Sequence, residues 1–177
     1  MAQQTKKPLV LLPGDLVFGK GTRPMTTLLG SCVAITLWHP GKHFGGMCHF
    51  VLPRRPEGIK DGNSRPDPRY AVDCMRIFRD LALKRGTRLT EFQGRIFGGG
   101  NMLPGSNDAS LRELADSSPV GDINAAEAFA GLTAEGVRVM EADVGEQGYR
   151  RVWFYPCSGK VEVKFVALSA SQPRYGI

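Results

Sequence analysis

Two apolar runs separated by a turn-forming segment are the clearest pattern in the first third of the chain. Residues 33–38 (VAITLW) and residues 44–52 (FGGMCHFVL) flank residues 39–42 (HPGK). β-branched and aromatic residues bounded by Pro and Gly are typical of β-strands. The pattern therefore predicts a β-hairpin.

The rest of the chain alternates between strand-like and helix-like segments. Residues 9–18 are typical of an irregular edge strand, and a turn at 156–160 predicts a second hairpin. The strands predicted after residue 90 are 92–97, 137–144, 149–155 and 161–168. The predicted helices are 70–85, 110–116 and 123–133, the last of them capped by Asp122. This mixture indicates a fold with both α and β layers.

Length and composition are ordinary for a globular protein. The 177 residues are 42% hydrophobic and 23% charged, and we expect one domain over residues 1–177, with residues 1–8 as a flexible polar arm. No apolar stretch approaches the roughly 18 residues that a membrane span needs. The N-terminus lacks the apolar core of a signal peptide. We therefore expect a cytoplasmic protein.

The net charge of +6 comes from basic residues that are dispersed along the chain. They do not form one tract interleaved with aromatic residues, which is the pattern of many nucleic-acid-binding surfaces. The charge therefore favours an acidic protein partner, and we expect no nucleic acid.

The four cysteines, Cys32, Cys48, Cys74 and Cys157, have no regular spacing. A Cys-x-x-Cys motif is absent, and a disulfide framework is not expected in a cytosolic chain of this size. Cys48 and His49 are adjacent, and adjacent strand residues point to opposite faces, so the two would not easily bind one zinc ion. We expect no metal site.

The hairpin brings a thiol and an imidazole together. If Trp38 pairs with His43 around a four-residue loop, Cys32 lies directly opposite His49 on the same face. Directly opposed residues have Cβ atoms roughly 4.5–5.5 Å apart, which suits a nucleophile–base pair. A bulge at residues 45–46 would turn one of the two away. We expect the other two histidines, at the turn, to be solvated.

A nucleophilic Cys–His pair needs a third group that holds the imidazole. Thr26 and Thr27 both lie just upstream, and spacing alone leaves the choice between them open. An ordinary structural role is the alternative for both.

Two loop segments accompany this candidate pair. Residues 53–68 are rich in Pro, Gly and charge, which predicts a surface loop beside the site that can shape substrate access. Residues 98–100 (GGG) lack the motifs of a P-loop or a dinucleotide fold, so close backbone packing is favoured over phosphate binding.

Residues 26–35 (TTLLGSCVAI) and 45–53 (GGMCHFVLP) resemble the signature of the CheD family, the chemoreceptor glutamine deamidases. The resemblance continues in order along nearly the whole chain, at residues 70–73, 95–102, 120–124 and 143–161. One departure is Ile123, where the family usually has Arg.

The resemblance implies a catalytic set of Cys32, His49 and Thr26, the last being six positions before the cysteine. It implies an α+β fold, an α/β sandwich with two β layers and outer helices, similar to the deamidase domain of cytotoxic necrotizing factor toxins. The implied activity is that of a protein-glutamine glutaminase, which converts receptor glutamines to glutamates and releases ammonia, without a metal or organic cofactor.

The resemblance also implies partners. They are the cytoplasmic domain of methyl-accepting chemotaxis receptors, which would bring the protein to the membrane only indirectly, and the phosphatase CheC. A monomer is the default expectation. Two alternatives are a non-catalytic module that binds receptors or CheC, and a receptor methylesterase that uses the same cysteine.

Overall fold

The computed structural model describes residues 6–58, 65–102 and 119–168. The described residues form nine strands, two α-helices and a 3-10 turn at Leu89–Glu91. The strands are Leu9–Val10 (β1), Leu16–Gly19 (β2), Met25–Leu29 (β3), Val33–His39 (β4), Phe44–Phe50 (β5), Gln93–Gly98 (β6), Arg138–Val144 (β7), Gly148–Tyr155 (β8) and Lys160–Ala167 (β9). The helices are Ala71–Lys84 (α1) and Val120–Ala134 (α2).

The strands form two sheets. One has four strands in the order β1-β3-β8-β9, and the other has five in the order β2-β5-β4-β6-β7. The pairs β1–β3 and β6–β7 are parallel, and the remaining neighbours are antiparallel. The second predicted hairpin is β8–β9.

Two hydrophobic cores separate three layers. Alternate residues of β4 point to opposite faces of the five-stranded sheet. Ala34 packs between the two sheets with Met25 of β3 and Phe154 of β8. Val33 and Ile35 pack on the other face, against α1 and α2. The predicted α+β sandwich with two β layers and outer helices is therefore confirmed, while its similarity to the toxin domain stays a prediction.

The first predicted hairpin is confirmed, but its register is wrong by two residues. His39 pairs with Phe44 and Trp38 with Gly45, so that residues 40–43 form the loop. The His39 side chain stabilises this turn, because its Nδ1 accepts hydrogen bonds from the backbone N–H groups of Gly41 (3.1 Å) and Lys42 (3.0 Å). His39 is consequently buried and stacked on Phe44, contrary to the expectation that it is solvated.

The helices agree with the sequence pattern except at the start of α2. α1 covers the predicted segment and is followed by Gly86, whose φ of 67° suits the end of a helix. α2 begins at Val120, so Asp122 lies inside its first turn and is not the cap. A carboxylate there still interacts favourably with the helix dipole. The predicted helix at 110–116 lies outside the described residues, as do residues 1–5 of the predicted arm.

Neither of the two described helices is both long enough and apolar enough to cross a membrane.

Candidate active site

His49 is the penultimate residue of β5 and is only 2% exposed. Its backbone is held on its free side by the loop between β1 and β2. The His49 N–H donates to the carbonyl of Asp15 (2.9 Å), and the His49 carbonyl accepts from the N–H of Gly14 (2.8 Å). The φ of 89° at Gly14 allows the loop to turn towards the strand. The imidazole therefore projects from a fixed backbone.

A threonine hydroxyl fixes the tautomer of His49. The Oγ1 of Thr27 lies 2.7 Å from the Nδ1 of His49 and donates its hydrogen to the carbonyl of Leu11 at 2.8 Å. A hydroxyl has one hydrogen, so Oγ1 acts towards Nδ1 as an acceptor. Nδ1 must then carry the proton, and Nε2 has a free lone pair. Nε2 is buried and has no hydrogen-bond partner among the described residues.

The prediction that Thr26 orients the imidazole is wrong. Adjacent residues of β3 point to opposite faces, and Thr27 is the one that shares the inter-sheet face. The hydroxyl of Thr26 donates to the carbonyl of Val152 in β8 at 2.8 Å. The residue on the imidazole is thus five positions before Cys32, whereas the family resemblance implied six.

Cys32 lies immediately before β4 and is partly exposed. The register places Ala34 opposite His49, so Cys32 is its diagonal neighbour and not its direct partner. A shift of two residues keeps the same face, and Cys32 packs against the inter-sheet core. Diagonal neighbours lie about 7–8 Å apart, which agrees with the absence of a hydrogen bond to Nε2. The predicted shared face is confirmed and the direct opposition is wrong.

The Cys32 thiol and the His49 imidazole are both uncharged at neutral pH. Burial raises the pKa of the Cys32 thiol, although the backbone N–H of the same residue acts in the opposite direction. Burial lowers the pKa of His49 to about 4, against the opposing effects of the Asp15 carboxylate and the Leu11 backbone. The site is therefore a neutral thiol beside a neutral imidazole, in which His49 is already in its basic form.

The glycine run at the end of β6 holds the loop that carries Cys32. The N–H of Gly99 donates to the Cys32 carbonyl and that of Gly100 to the Gly30 carbonyl, both at 2.9 Å. A Cβ on Gly98 would overlap the Cys32 carbonyl oxygen. Close backbone packing, as predicted for this run, is confirmed.

Arg150 supports the glycine run and was not identified from the sequence. Its side chain is 1% exposed and donates to the carbonyl of Gly145 (2.8 Å) and to the carboxylate of Asp143 (3.0 Å). A longer bond of 3.4 Å reaches the carbonyl of Gly98. The alternation of β8 was the available signal, because Val152 and Phe154 point inward and position 150 shares their face.

The predicted loop at residues 53–68 is described at its two ends, residues 53–58 and 65–68. Both ends are tied to the start of α1, since Asp73 pairs with the guanidinium of Arg55 at 2.8 Å and accepts from the N–H of Asp67 at 3.0 Å. The role of this segment in substrate access stays a prediction.

Cys48 faces the helices while its neighbour His49 faces the other sheet, as predicted. No cluster of three or more metal-binding side chains occurs in the described parts of the chain. Ile123 is 40% exposed in the first turn of α2.

Comparison with known proteins places the chain in a family. The family described as "CheD chemotactic sensory transduction" matches residues 51–165. The match begins two residues after His49, so it includes neither Cys32 nor His49.

The chain is also similar to several curated proteins over most of its length. It is 40% identical over 168 residues to a "Probable chemoreceptor glutamine deamidase CheD" of Pseudomonas syringae pv. syringae, covering 93% of this chain and 88% of that protein. The corresponding values are 37% over 155 residues (88% and 85%) for a Dechloromonas aromatica protein named "Probable chemoreceptor glutamine deamidase CheD 3". They are 37% over 144 residues (81% and 70%) for a Caulobacter vibrioides "Probable chemoreceptor glutamine deamidase CheD". From the family match and these relatives together, the chain belongs to the CheD family.

Proposed function

We propose that this protein is a chemoreceptor glutamine deamidase, which hydrolyses the side-chain carboxamide of receptor glutamines to carboxylate and releases ammonia. The names of its relatives support the substrate. The observation that carries the chemistry is the buried, neutral His49, whose Nδ1 is held by Thr27 and whose Nε2 is free on the face that Cys32 shares.

The first step forms an acyl-enzyme. The Cys32 sulfur attacks the carboxamide carbon while His49 Nε2 accepts the thiol proton, which gives a tetrahedral intermediate. The intermediate collapses with cleavage of the C–N bond. The imidazolium returns the proton to the departing nitrogen, so that ammonia leaves and a thioester remains.

The second step restores the enzyme. Nε2 accepts a proton from water, whose oxygen attacks the thioester carbon. The C–S bond breaks, the proton passes to sulfur, and the product is a glutamate side chain. Each cycle therefore consumes one water and yields one ammonia, and His49 alternates between base and acid.

Thr27 makes this alternation possible. Because its hydroxyl accepts from Nδ1, the proton that His49 gains and loses is always the one on Nε2. The backbone N–H of Cys32 lies beside the sulfur and favours its anionic form. We assign the same N–H to the developing oxyanion, where one such donor is typically worth about 2.7–4 kcal/mol.

The test is the intact mass of a purified receptor cytoplasmic fragment after incubation with wild-type protein, with Cys32→Ala or with His49→Ala. Conversion of an amide to a carboxylate adds about one dalton per glutamine, and it is expected with the wild type alone. A fragment that gains mass equally with Cys32→Ala would contradict the proposed nucleophile.

The same assay separates the two alternatives. Release of methanol from a methylated fragment, without ammonia, would indicate a methylesterase, because ester and amide hydrolysis share the acyl-enzyme. Binding to the fragment with neither product would indicate a regulatory module.

The proposed setting follows from the substrate. The protein acts in the cytoplasm on the cytoplasmic domain of chemotaxis receptors, with CheC as a further partner, and it needs no metal or organic cofactor. The net charge of +6 favours association with an acidic surface. The monomeric state stays a prediction.

A further inference from the structure

One buried amide joins the two backbone segments that lie beside the residues of the proposed catalytic pair. Asn124 of α2 is fully buried. Its Nδ2 donates to the carbonyl of Ser31 at 3.1 Å and to the carbonyl of Val51 at 2.8 Å. Ser31 immediately precedes Cys32, and Val51 follows His49 by two residues.

The chemistry of these contacts fixes how the side chain is oriented. Carbonyl oxygens only accept hydrogen bonds, so the NH2 end must face both of them, and its two hydrogens are both used. The Oδ1 at the other end is buried without a partner among the described residues. An apolar side chain of similar volume would fill this space and leave no unpaired Oδ1, but it would donate to neither the Ser31 carbonyl nor the Val51 carbonyl. Packing alone therefore does not account for an asparagine here.

The location is where the β4–β5 ladder opens. The last pair of the ladder is Val33–Phe50, and the next would be Cys32–Val51. Both residues of that missing pair bond elsewhere. The Cys32 carbonyl accepts from Gly99, and the Val51 N–H donates to the carbonyl of Arg69 at 2.8 Å. The Asn124 amide spans the resulting gap.

We propose that Asn124 is a positioning residue, which fixes the separation between Cys32 and His49 by holding the backbone beside each of them. It contacts neither the substrate nor the reacting atoms. This proposal rests on the proposed Cys32–His49 pair. It predicts that loss of the amide lowers the reactivity of Cys32 while the fold persists.

The test measures alkylation of Cys32 by iodoacetamide in the full-length protein, followed by peptide mass spectrometry between pH 6 and 9. Sulfur displaces iodide from the reagent carbon, and the thiol proton passes to His49 or to solvent. Cys157 is exposed and far along the chain from the pair, so its alkylation in the same sample is an internal reference.

Four variants give the comparison. Asn124→Ala removes both bonds, and Asn124→Asp keeps the shape but has at most one hydrogen to donate. Leu132→Ala is the control, because Leu132 is a fully buried residue of the same helix that packs on the other side of the sheet from the pair. His49→Ala reports the contribution of the base.

We expect Asn124→Ala to slow alkylation of Cys32 relative to Cys157 about tenfold, with Asn124→Asp between it and the wild type. Leu132→Ala should not slow Cys32. The direction of the change in alkylation rate separates the two explanations, because a general loosening of the fold would expose a partly buried thiol and accelerate its alkylation. With a receptor fragment, Asn124→Ala should lower kcat and leave KM nearly unchanged.

Three results would overturn the proposal. Unchanged or faster alkylation of Cys32 in Asn124→Ala, with slow alkylation in His49→Ala, would refute the role of Asn124 alone. Normal alkylation in His49→Ala would refute the pair itself, and the positioning role with it. If Asn124→Ala does not fold, as judged by circular dichroism, Asn124→Asp decides: wild-type alkylation of Cys32 in that variant would also overturn it.

Discussion

Replacement of Thr27 by Val removes one hydroxyl from the site and preserves the shape of the side chain. The change leaves Nδ1 of His49 and the carbonyl of Leu11 without their partner. Nδ1 then loses the hydroxyl that accepts its hydrogen, so the tautomer with the proton on Nε2 becomes more accessible. That tautomer cannot accept the Cys32 proton at Nε2.

The expected loss follows from the hydrogen bond that is removed. One neutral hydrogen bond contributes about 0.5–1.5 kcal/mol net, and each 1.36 kcal/mol is about tenfold in rate. Loss of the correct tautomer therefore lowers the rate up to about tenfold, and a freely rotating ring adds to this. We expect kcat to fall roughly 10- to 100-fold, and the free energy of unfolding to fall by about 1–3 kcal/mol from the unpaired buried groups.

Thr26→Val is the matched control. Thr26 is the next residue, is also buried, and its hydroxyl also donates to a backbone carbonyl, but on the other face of β3. The Thr26→Val variant should lose about as much stability in thermal unfolding as Thr27→Val, while its kcat stays within about twofold of the wild-type value. Ammonia release from a receptor fragment measures the rate. Wild-type activity in Thr27→Val, or a larger loss in Thr26→Val, would refute the assignment of Thr27.

Three further predictions concern pH and the support of the site. The pKa of a histidine is ordinarily 6.5, and that of His49 is about 4 in the folded protein. Between these two pH values the unfolded state binds more protons than the folded state. The free energy of unfolding should therefore drop by roughly 3 kcal/mol as the pH falls from about 6.5 to about 4. Urea titrations of the wild type and His49→Gln would show this, and an equal pH dependence in both would contradict it. Gly100→Ala should destabilise the protein by several kcal/mol and lower kcat, because its Cβ would overlap the Gly148 carbonyl; a wild-type melting temperature would count against this packing. Arg150→Met should lower the melting temperature by several degrees because the carbonyl of Gly145 and the carboxylate of Asp143 lose a buried donor; unchanged melting would show that these bonds contribute nothing.

The elements of the fold were largely accessible to prediction because period-two and helical patterns are local. The β4–β5 and β8–β9 hairpins follow from apolar, β-branched and aromatic runs on either side of a turn, and α1 follows from its helical periodicity. The arrangement of the strands into two sheets was not accessible in this way. The parallel β6–β7 pair, for example, depends on a contact between segments separated by a helix, and no local pattern encodes it.

The site was predicted to the level of faces but not of individual partners. Period two assigned Cys32 and His49 to one face, and this survives a register error of two residues. With the same periodicity, an error of one residue places a side chain on the opposite face of its strand. Assigning the imidazole contact to Thr26, which lies on the outer face, was therefore wrong, because Thr27 has the hydroxyl that faces His49. Asn124 bonds to the Ser31 carbonyl, which is distant in the chain, and Arg150 reaches the Gly98 carbonyl of another strand. The sequence therefore showed only a polar residue in a helix and a basic residue in a strand.

The choice of a hydroxyl as the group that holds His49 is consistent with the burial of the site. A carboxylate in the place of Thr27 would put a charge in the apolar space between two sheets, where its desolvation is costly. It would also stabilise the imidazolium and raise the pKa of His49. Thr27 holds the ring without charge, and burial lowers the pKa of His49 to about 4, so the imidazole is neutral above that pH. The cost is that a neutral hydroxyl gives the imidazolium little stabilisation when it forms. Proton transfer from a thiol whose own pKa is raised by burial is therefore unfavourable before attack. In the proposed mechanism the proton therefore moves as the carbon–sulfur bond forms, so we expect the rate to depend strongly on the distance between Cys32 and His49 and on the backbone contacts proposed to set it.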